Sequence, residues 1–301
     1  MIKLLSELET DNLLNSLREF SWQAAEMMLY FSQEMKNINN NSKFVKFKNN
    51  NEPVTIVDLE VNKLIINKIN ERYPGFTWGF LSEENYKEGI CKNLEYEWLW
   101  VFDPLDGTKD FIQGTGNYAM HLALNYRNIP FIGVVLIPER NELWISNGDK
   151  LLCENKSGNQ KKISLIKNKT LEEMTIVVSE NHKDKYLKNL LSKISCKKVI
   201  SMGSIGCKIA SILRGDSDLY ISLSDPEKNT PKDWDYAAPN AILKAAGGVI
   251  TNLKNEEIKY NKMNLKQGGL IIASNDKLNH KYICDQIKTL IEKHNLIPFE
   301  Y

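Results

Sequence analysis

Long apolar runs are missing from this 301-residue chain. No stretch approaches the length needed to cross a bilayer. The opening Met1-Ile2-Lys3-Leu4-Leu5 is broken by Glu7, Glu9 and Asp11 before a signal-peptide core can form. No stable membrane insertion is expected. A charge excess is missing too: 39 basic and 38 acidic residues leave a net charge of +1. That balance argues against a protein that works by coating a nucleic-acid polymer or an anionic membrane surface. Lys161-Lys162 and Lys197-Lys198 are local basic spots of an ordinary solvated surface. The five cysteines (Cys91, Cys153, Cys196, Cys207, Cys284) form an odd set with no C-x-x-C pair, as expected of reduced thiols in a cytoplasmic protein. The four histidines (His121, His182, His280, His294) have no zinc-ligand spacing. Internal repeats are absent, and the only biased segment is an asparagine-rich connector from Asn37 to Asn51.

What is present suits a folded protein with a large core: 42% hydrophobic and 26% charged residues. Leu13, Leu14, Leu17, Phe20, Ala24, Met27, Met28 and Phe31 recur at helical spacing and predict an amphipathic helix over 6–36. A second helix is expected after Asp58, its N-cap, running to about Glu71. A short strand over 76–81 leads into Ser82-Glu83-Glu84. Trp98-Leu99-Trp100-Val101-Phe102 reads as a fully buried strand, expected to stop at Asp103-Pro104 because proline removes a ladder donor. Tyr118–Tyr126 and Pro130–Pro138 form a hairpin pattern, and Glu142–Ser146 and Leu151-Leu152 are expected to add edge strands. Beyond a boundary zone at 155–172, strands (174–179, 197–202, 218–222, 270–273) alternate with helices (183–193, 205–213, 234–246, 277–293). Such alternation implies a sheet with helices on its faces. The expected class is α/β (α+β), in two intimately packed lobes covering 1–160 and 161–301.

Chemistry concentrates in Asp103-Pro104-Leu105-Asp106-Gly107-Thr108. One reading is an Asx-type turn whose carboxylates are solvated or cap the next helix. The other is a seat for a hard, oxygen-seeking cation such as Mg²⁺. If the strands ending at Glu83 and at Asp103 are neighbours, their carboxyl ends meet at one crevice, where open α/β sheets place ligands. Asp235, at the start of a later helix, would join them. Four carboxylates at contact distance cannot all stay ionised without cations, and phosphate is a common partner of such metals. A calcium loop is excluded, because the alternating acids and closing glutamate of that loop are missing. Simpler roles stand beside these: a cap for Asp58, surface charge for Glu83-Glu84, helix-start charge for Lys109 and Asp110, and packing for Trp234.

Ser82-Glu83-Glu84, Asp103-Pro104-Leu105-Asp106-Gly107-Thr108, and Trp234-Asp235-Tyr236-Ala237-Ala238-Pro239 followed by Ala246-Gly247-Gly248 resemble the three signatures of the inositol monophosphatase superfamily. Pro53-Val54-Thr55-Ile56-Val57-Asp58 is similar to that superfamily's P-V-T-x-x-D element, and the resemblance runs in order from about residue 50 to 275. The Lys109-Asp110-Phe111 continuation resembles the 3'(2'),5'-bisphosphate nucleotidase subgroup. So does Gly203-Ser204-Ile205-Gly206-Cys207-Lys208 with Gly215-Asp216-Ser217-Asp218-Leu219-Tyr220. Ile205 stands where that subgroup has a second serine, and Ser179-Glu180-Asn181-His182 lacks the arginine of its S-R-S-H element. A surface position is the simpler expectation for His182.

The resemblance implies a layered αβαβα sugar-phosphatase fold and a lithium-sensitive, Mg²⁺-dependent phosphomonoesterase with two or three ions per site. Glu83, Asp103 and the Leu105 carbonyl would hold one ion. Asp103, Asp106 and Asp235 would hold a second, with Glu84 orienting the ligands. Thr108, hydrogen-bonded to Asp58, would help deprotonate a water that attacks phosphorus in line. Gly107 and Thr108 would offer backbone N–H groups to the phosphate. Gly203, Ser204 and Lys208 would lie on the substrate side, with Lys208 facing a second phosphate or the ribose; Glu83, Leu105, Asp106 and Asp235 complete the substrate contacts. The implied partner is a small anionic substrate of the adenosine bisphosphate type: 3'-phosphoadenosine 5'-phosphate or its phosphosulfate, giving AMP or adenosine phosphosulfate. Inositol 1-phosphate or a sugar phosphate is the alternative, and a catalytically silent ligand-binding relative the third reading. A homodimer is left open.

Overall fold

The computed structural model describes residues 7–37, 45–47, 53–87, 89, 95–161, 163, 165, 168–181, 185–225, 230–260 and 264–297. His182 and most of the asparagine-rich connector lie outside them. The described part of that connector, β1 (Val45–Phe47), is a strand paired antiparallel with β2 (Pro53–Thr55), where only a polar linker was expected.

Helix α1 (Glu7–Asn37) follows its apolar spacing: Leu13, Leu17, Phe20, Ala24 and Met28 are buried along one stripe. They share a core with Val57, Val61, Ile65 and Ile69 of α2 (Ile56–Arg72). The start of α2 differs from expectation. Thr55 is the N-cap, its hydroxyl accepting the Val57 N–H at 3.2 Å, and Asp58 sits at the third helical position. The Asp58 carboxylate reaches back to the Thr55 N–H at 2.7 Å and so closes a capping box.

The first sheet runs in chain order: β3 (Gly79–Ser82), β4 (Trp98–Asp106), β5 (Ala119–Tyr126), β6 (Ile129–Ile137), β7 (Glu142–Ser146) and β8 (Leu151–Glu154). Every pair is antiparallel except β3 with β4. Only β8 of the expected edge pair is an edge, since β7 lies between β6 and β8. Arg127 and Asn128 turn the β5–β6 hairpin with φ +46° and +67°, the twist a two-residue hairpin requires.

β4 does not stop at Pro104. Asp103 pairs with His121 and Asp106 with Ala119, so three steps on β4 face two on β5. This is a one-residue bulge, where a proline without N–H is tolerated. In a regular strand, residues three apart point to opposite faces. The inserted residue restores the phase and lets Asp103 and Asp106 address one side.

The second sheet has the order β10 (Lys198–Met202), β9 (Thr175–Ser179), β11 (Leu219–Ser224), β13 (Gly269–Ser274), β12 (Val249–Asn252). Its β10, β9 and β11 are parallel, and β13 runs antiparallel to both neighbours. Strand β12, four residues directly after Gly247-Gly248, went unrecognised in the sequence. Short helices α3 (Glu83–Lys87) and α4 (Thr108–Gln113) cap strand ends of the first sheet.

Helices complete five layers. Between the sheets lie α6 (Ile205–Arg214) and α7 (Asp233–Ala245), where Ile209, Leu213, Ala238 and Ile242 share one core with Leu99 and Val101 of β4 and Tyr220 and Ala273 of the second sheet. Trp98, Trp100 and Phe102 face the α1–α2 side instead, so both faces of β4 are covered. That double burial is why its sequence is a continuous apolar run. Outside the second sheet, α5 (Lys185–Leu191) and α8 (Lys277–His294) bury Leu187, Leu190, Ile283 and Ile287 against Ile176, Val178 and Ile272. Among the described residues no helix is long and apolar enough to cross a membrane.

Small residues let α7 lie close to the first sheet. A Cβ on Gly133 of β6 would come within 2.5 Å of the Ala241 Cβ and 2.9 Å of the Ala238 carbonyl. Gly133→Ala should therefore push α7 off the sheet and destabilise the protein by about 1–3 kcal/mol, read as a lower urea midpoint with unchanged slope.

Candidate active site

The bulged end of β4 presents two acids. Buried Asp103 accepts the Leu105 N–H through Oδ1 at 3.0 Å, a bond that closes the turn. Asp106 accepts the Ile205 N–H through Oδ2, so this carboxylate sits on the positive end of α6. Asp235, in the first turn of α7, accepts the Lys232 N–H. The three come from both halves of the chain, yet each offers an oxygen within 4.8 Å of the others. Glu83 follows β3, the parallel neighbour of β4, and lines the same cleft, ion-paired with Lys87.

Crowding and burial raise the proton affinity of two of these groups. Burial, reinforced by Glu83, Asp106 and Asp235, pushes the Asp103 carboxyl well above the ordinary carboxylate range. Burial together with Asp106 and Glu83 does the same to Asp235. An all-oxygen donor set that cannot ionise alone fits a hard divalent cation.

Asp58 divides its two oxygens between structure and chemistry. Oδ2 takes the capping bonds from the Thr55 N–H and, at 2.6 Å, the Thr55 hydroxyl. Oδ1 faces the Thr108 hydroxyl at 3.4 Å, and that hydroxyl also lies 3.2 Å from the Leu105 carbonyl. Burial pushes the Asp58 carboxyl up to about 7, with the Thr55 hydroxyl pulling it down and Glu83 and Glu84 adding to the rise. Glu84 is buried and is not among the residues lining the cleft.

The cleft, about 430 Å³, is lined by Glu83, Asp103, Leu105, Asp106, Gly107, Thr108, Gly203, Ser204, Lys208 and Asp235. Two glycines bring its walls together. Gly107 has φ +89°, and a Cβ there would lie 2.9 Å from the Asn117 carbonyl and 3.2 Å from the Ser204 nitrogen. A Cβ on Gly203 would overlap the Asp110 carboxylate at 2.2 Å. Ser204 is held at φ +36°, an uncommon conformation for a residue with a side chain. Its hydroxyl caps α6 by accepting the Cys207 N–H at 3.2 Å. Lys208 is buried, its ammonium donating to the Gly203 carbonyl at 3.0 Å above the Tyr220 ring. Desolvation lowers its basicity. Ile205 buries its side chain in the core between the sheets.

Around the cleft the structure gives some residues surroundings that the sequence does not show. Asp110 is not a solvated helix-start charge: it is buried, accepting the Thr115 hydroxyl at 2.7 Å and the Asn181 amide at 2.8 Å. That second bond ties the Asp-rich turn to the loop after β9. Buried His121 places Nε2 3.1 Å from the Gly206 N–H and 3.3 Å from Asp106. Trp234 is buried as expected and packs against Tyr86, the rings tilted by 53° with centres 5.3 Å apart.

Layered sheets and helices with an acid cluster at the strand ends define a class of protein whose cleft can hold a hard cation, and its relatives make it a phosphoric monoester hydrolase. Residues 10–292 match the Inositol monophosphatase family. The 3'(2'),5'-bisphosphate nucleotidase CysQ of Buchnera aphidicola is 32% identical over 237 residues, spanning 78% of this chain and 81% of that protein. A putative Nus factor SuhB of Neisseria meningitidis is 27% identical, across 88% of this chain and 94% of that one. The IMPase of Thermotoga maritima superposes with a TM-score of 0.72 at 21% identity, covering 94% of this chain and 99% of that one. The chain belongs to the inositol monophosphatase family.

The raised carboxyls set a pH dependence. Asp58 rises from 3.8 to about 7 on folding, so the folded protein binds more protons than the unfolded chain between those values. Stability of the metal-free protein then falls as pH rises through that window. Urea midpoints in EDTA should be higher at pH 5 than at pH 7.5, Asp58→Asn should reduce the difference, and added Mg²⁺ should reverse it by favouring the ionised acids.

Proposed function

We propose that this phosphatase removes the 3'-phosphate of 3'-phosphoadenosine 5'-phosphate, or of its phosphosulfate, using water as the nucleophile. The observation that carries this reading is the convergence of Asp103, Asp106 and Asp235 in a cleft also lined by Lys109, Lys208 and Lys232. A single phosphate facing two divalent ions needs no further cations. Lysines along the same cleft suit a substrate with a second anionic group. The similarity to a bisphosphate nucleotidase over most of the chain points the same way.

Glu83, Asp103 and the Leu105 carbonyl would hold one Mg²⁺, and Asp103, Asp106 and Asp235 another. When bound, the ions supply the positive charge that makes water acidic near neutral pH and stabilises the leaving ester oxygen. The chain's own groups do the rest. Thr108 accepts a proton from the attacking water and passes its own to Asp58 Oδ1, whose affinity for protons is matched to neutral pH. As the water oxygen bonds to phosphorus, the bond to the 3'-oxygen breaks and that oxygen takes up a proton from a second solvent water, whose hydroxide is neutralised by the proton that Asp58 returns to solvent. Gly107 and Thr108 would offer their backbone N–H groups to the phosphate, and Gly107 carries no side chain because a Cβ there would meet the Asn117 carbonyl and the Ser204 nitrogen. Ser204 and Lys208 shape the far wall, Lys208 by holding the 202–204 turn and adding its charge to the substrate side. Lithium sensitivity and a cytoplasmic location belong to the same proposal.

Phosphate release with Mg²⁺ from 3'-phosphoadenosine 5'-phosphate should exceed that from inositol 1-phosphate by more than about tenfold in kcat/KM, about 1.4 kcal/mol in the barrier. The reverse preference would make the chain an inositol or sugar phosphatase. Thr108→Ala should lower kcat by about 10²–10⁴-fold, the range of a lost proton relay. Asp106→Asn should abolish most turnover, and unchanged activity in that variant would remove the metal assignment.

A further inference from the structure

We infer that Lys87 is a positioning residue that sets the cation affinity of the acid cluster, its ammonium competing with the incoming divalent ion for Glu83. The inference rests on the reading that Glu83 and Asp103 hold that ion. A Glu followed four residues later by Lys is ordinarily a solvated helix pair. This pair is placed differently. Glu83 and Lys87 are only 19% and 27% exposed in their side chains, and both line the cleft alongside Asp103 and Asp235.

Two anchors hold α3, and so Lys87, against the cluster. Tyr86 packs at a tilt of 53° against Trp234, the residue next to Asp235, with ring centres 5.3 Å apart. Asn85 donates its N–H to the Ser82 hydroxyl at 3.1 Å and accepts the Asn62 amide of α2 at 2.9 Å. Helix α3 is therefore fixed between α2 and α7, and its last turn delivers the ammonium to Glu83. An ammonium and a divalent ion cannot share one carboxylate oxygen without strong repulsion. Like charges about 4 Å apart near a protein surface repel enough to change a binding constant by more than tenfold. The lysine thus neutralises part of the cluster when no ion is bound and opposes the ion when it arrives. Its long stem lets the head withdraw toward the rim of the cleft once Glu83 is taken.

The test uses the full chain and Mn²⁺ alone, with binding read by electron paramagnetic resonance and calorimetry at fixed pH. Lys87→Met keeps the apolar stem and removes the charge. It should bind the first Mn²⁺ at least about fivefold more tightly than the wild type. Lys87→Arg, which keeps the charge, should stay near the wild-type affinity. Asp106→Asn is the control for the underlying reading. If Asp106→Asn and the wild type bind Mn²⁺ alike, the metal assignment fails and the role of Lys87 falls with it. If Asp106→Asn weakens binding while Lys87→Met binds no more tightly than the wild type, the metal assignment stands and the Lys87 proposal is overturned.

Discussion

Carboxylates gathered in a partly dry crevice repel one another, and the architecture around Asp103, Asp106 and Asp235 answers that repulsion. Each takes a backbone N–H: Leu105 for Asp103, Ile205 for Asp106, Lys232 for Asp235. These donors belong to a turn and to two helix starts, so they are fixed before any ligand arrives. They orient the acids without neutralising them, and Asp103 and Asp235 remain well above the ordinary carboxylate range. A site that is unfavourable alone and geometrically ready is suited to divalent cations, because the protein need not rearrange to bind them.

Keeping such a cluster together is a task for the whole fold. Helices α6 and α7 lie between the two sheets, and their N-terminal ends meet the bulged end of β4. Small residues make that approach close: Gly133 beneath α7, Gly107 against Ser204, Gly203 against Asp110. The Asp110–Asn181 hydrogen bond adds a polar tie between the Asp-rich turn and the second sheet's loops. Asp58 joins the same economy of parts, one oxygen closing the N-terminus of α2 and the other facing Thr108. Fold stability and chemistry therefore meet in a single carboxyl, whose affinity for protons burial pushes up to about 7.

Much of the fold could be read from periodicity. The helix expected over 6–36 is α1, the apolar run at Trp98–Phe102 is the central part of β4, and the alternation after residue 174 became a second sheet with helices on both sides. Errors fell where local rules meet tertiary context. Proline chemistry predicts an end to pairing at Pro104, but a bulge absorbs it. Asp58 matches an N-cap pattern, but Thr55 holds that position and Asp58 completes the box. Asp110 reads as a helix-start charge because its partner Asn181 lies far away in the sequence.

The sequence by itself determined which residue types stand at strand and helix ends, because periodicity and turn chemistry are local. It also carried the ordered motifs that mark the family, since these are short runs legible without coordinates. Only the tertiary structure decided that Asp103, Asp106 and Asp235 share one crevice, that Lys87 faces it, and that Asp110 is buried. Those facts depend on which strands pair, on a one-residue bulge and on helices threaded between two sheets. Contacts of that kind join residues as distant in the chain as Asp103 and Asp235, or Asp110 and Asn181, where no local pattern records them.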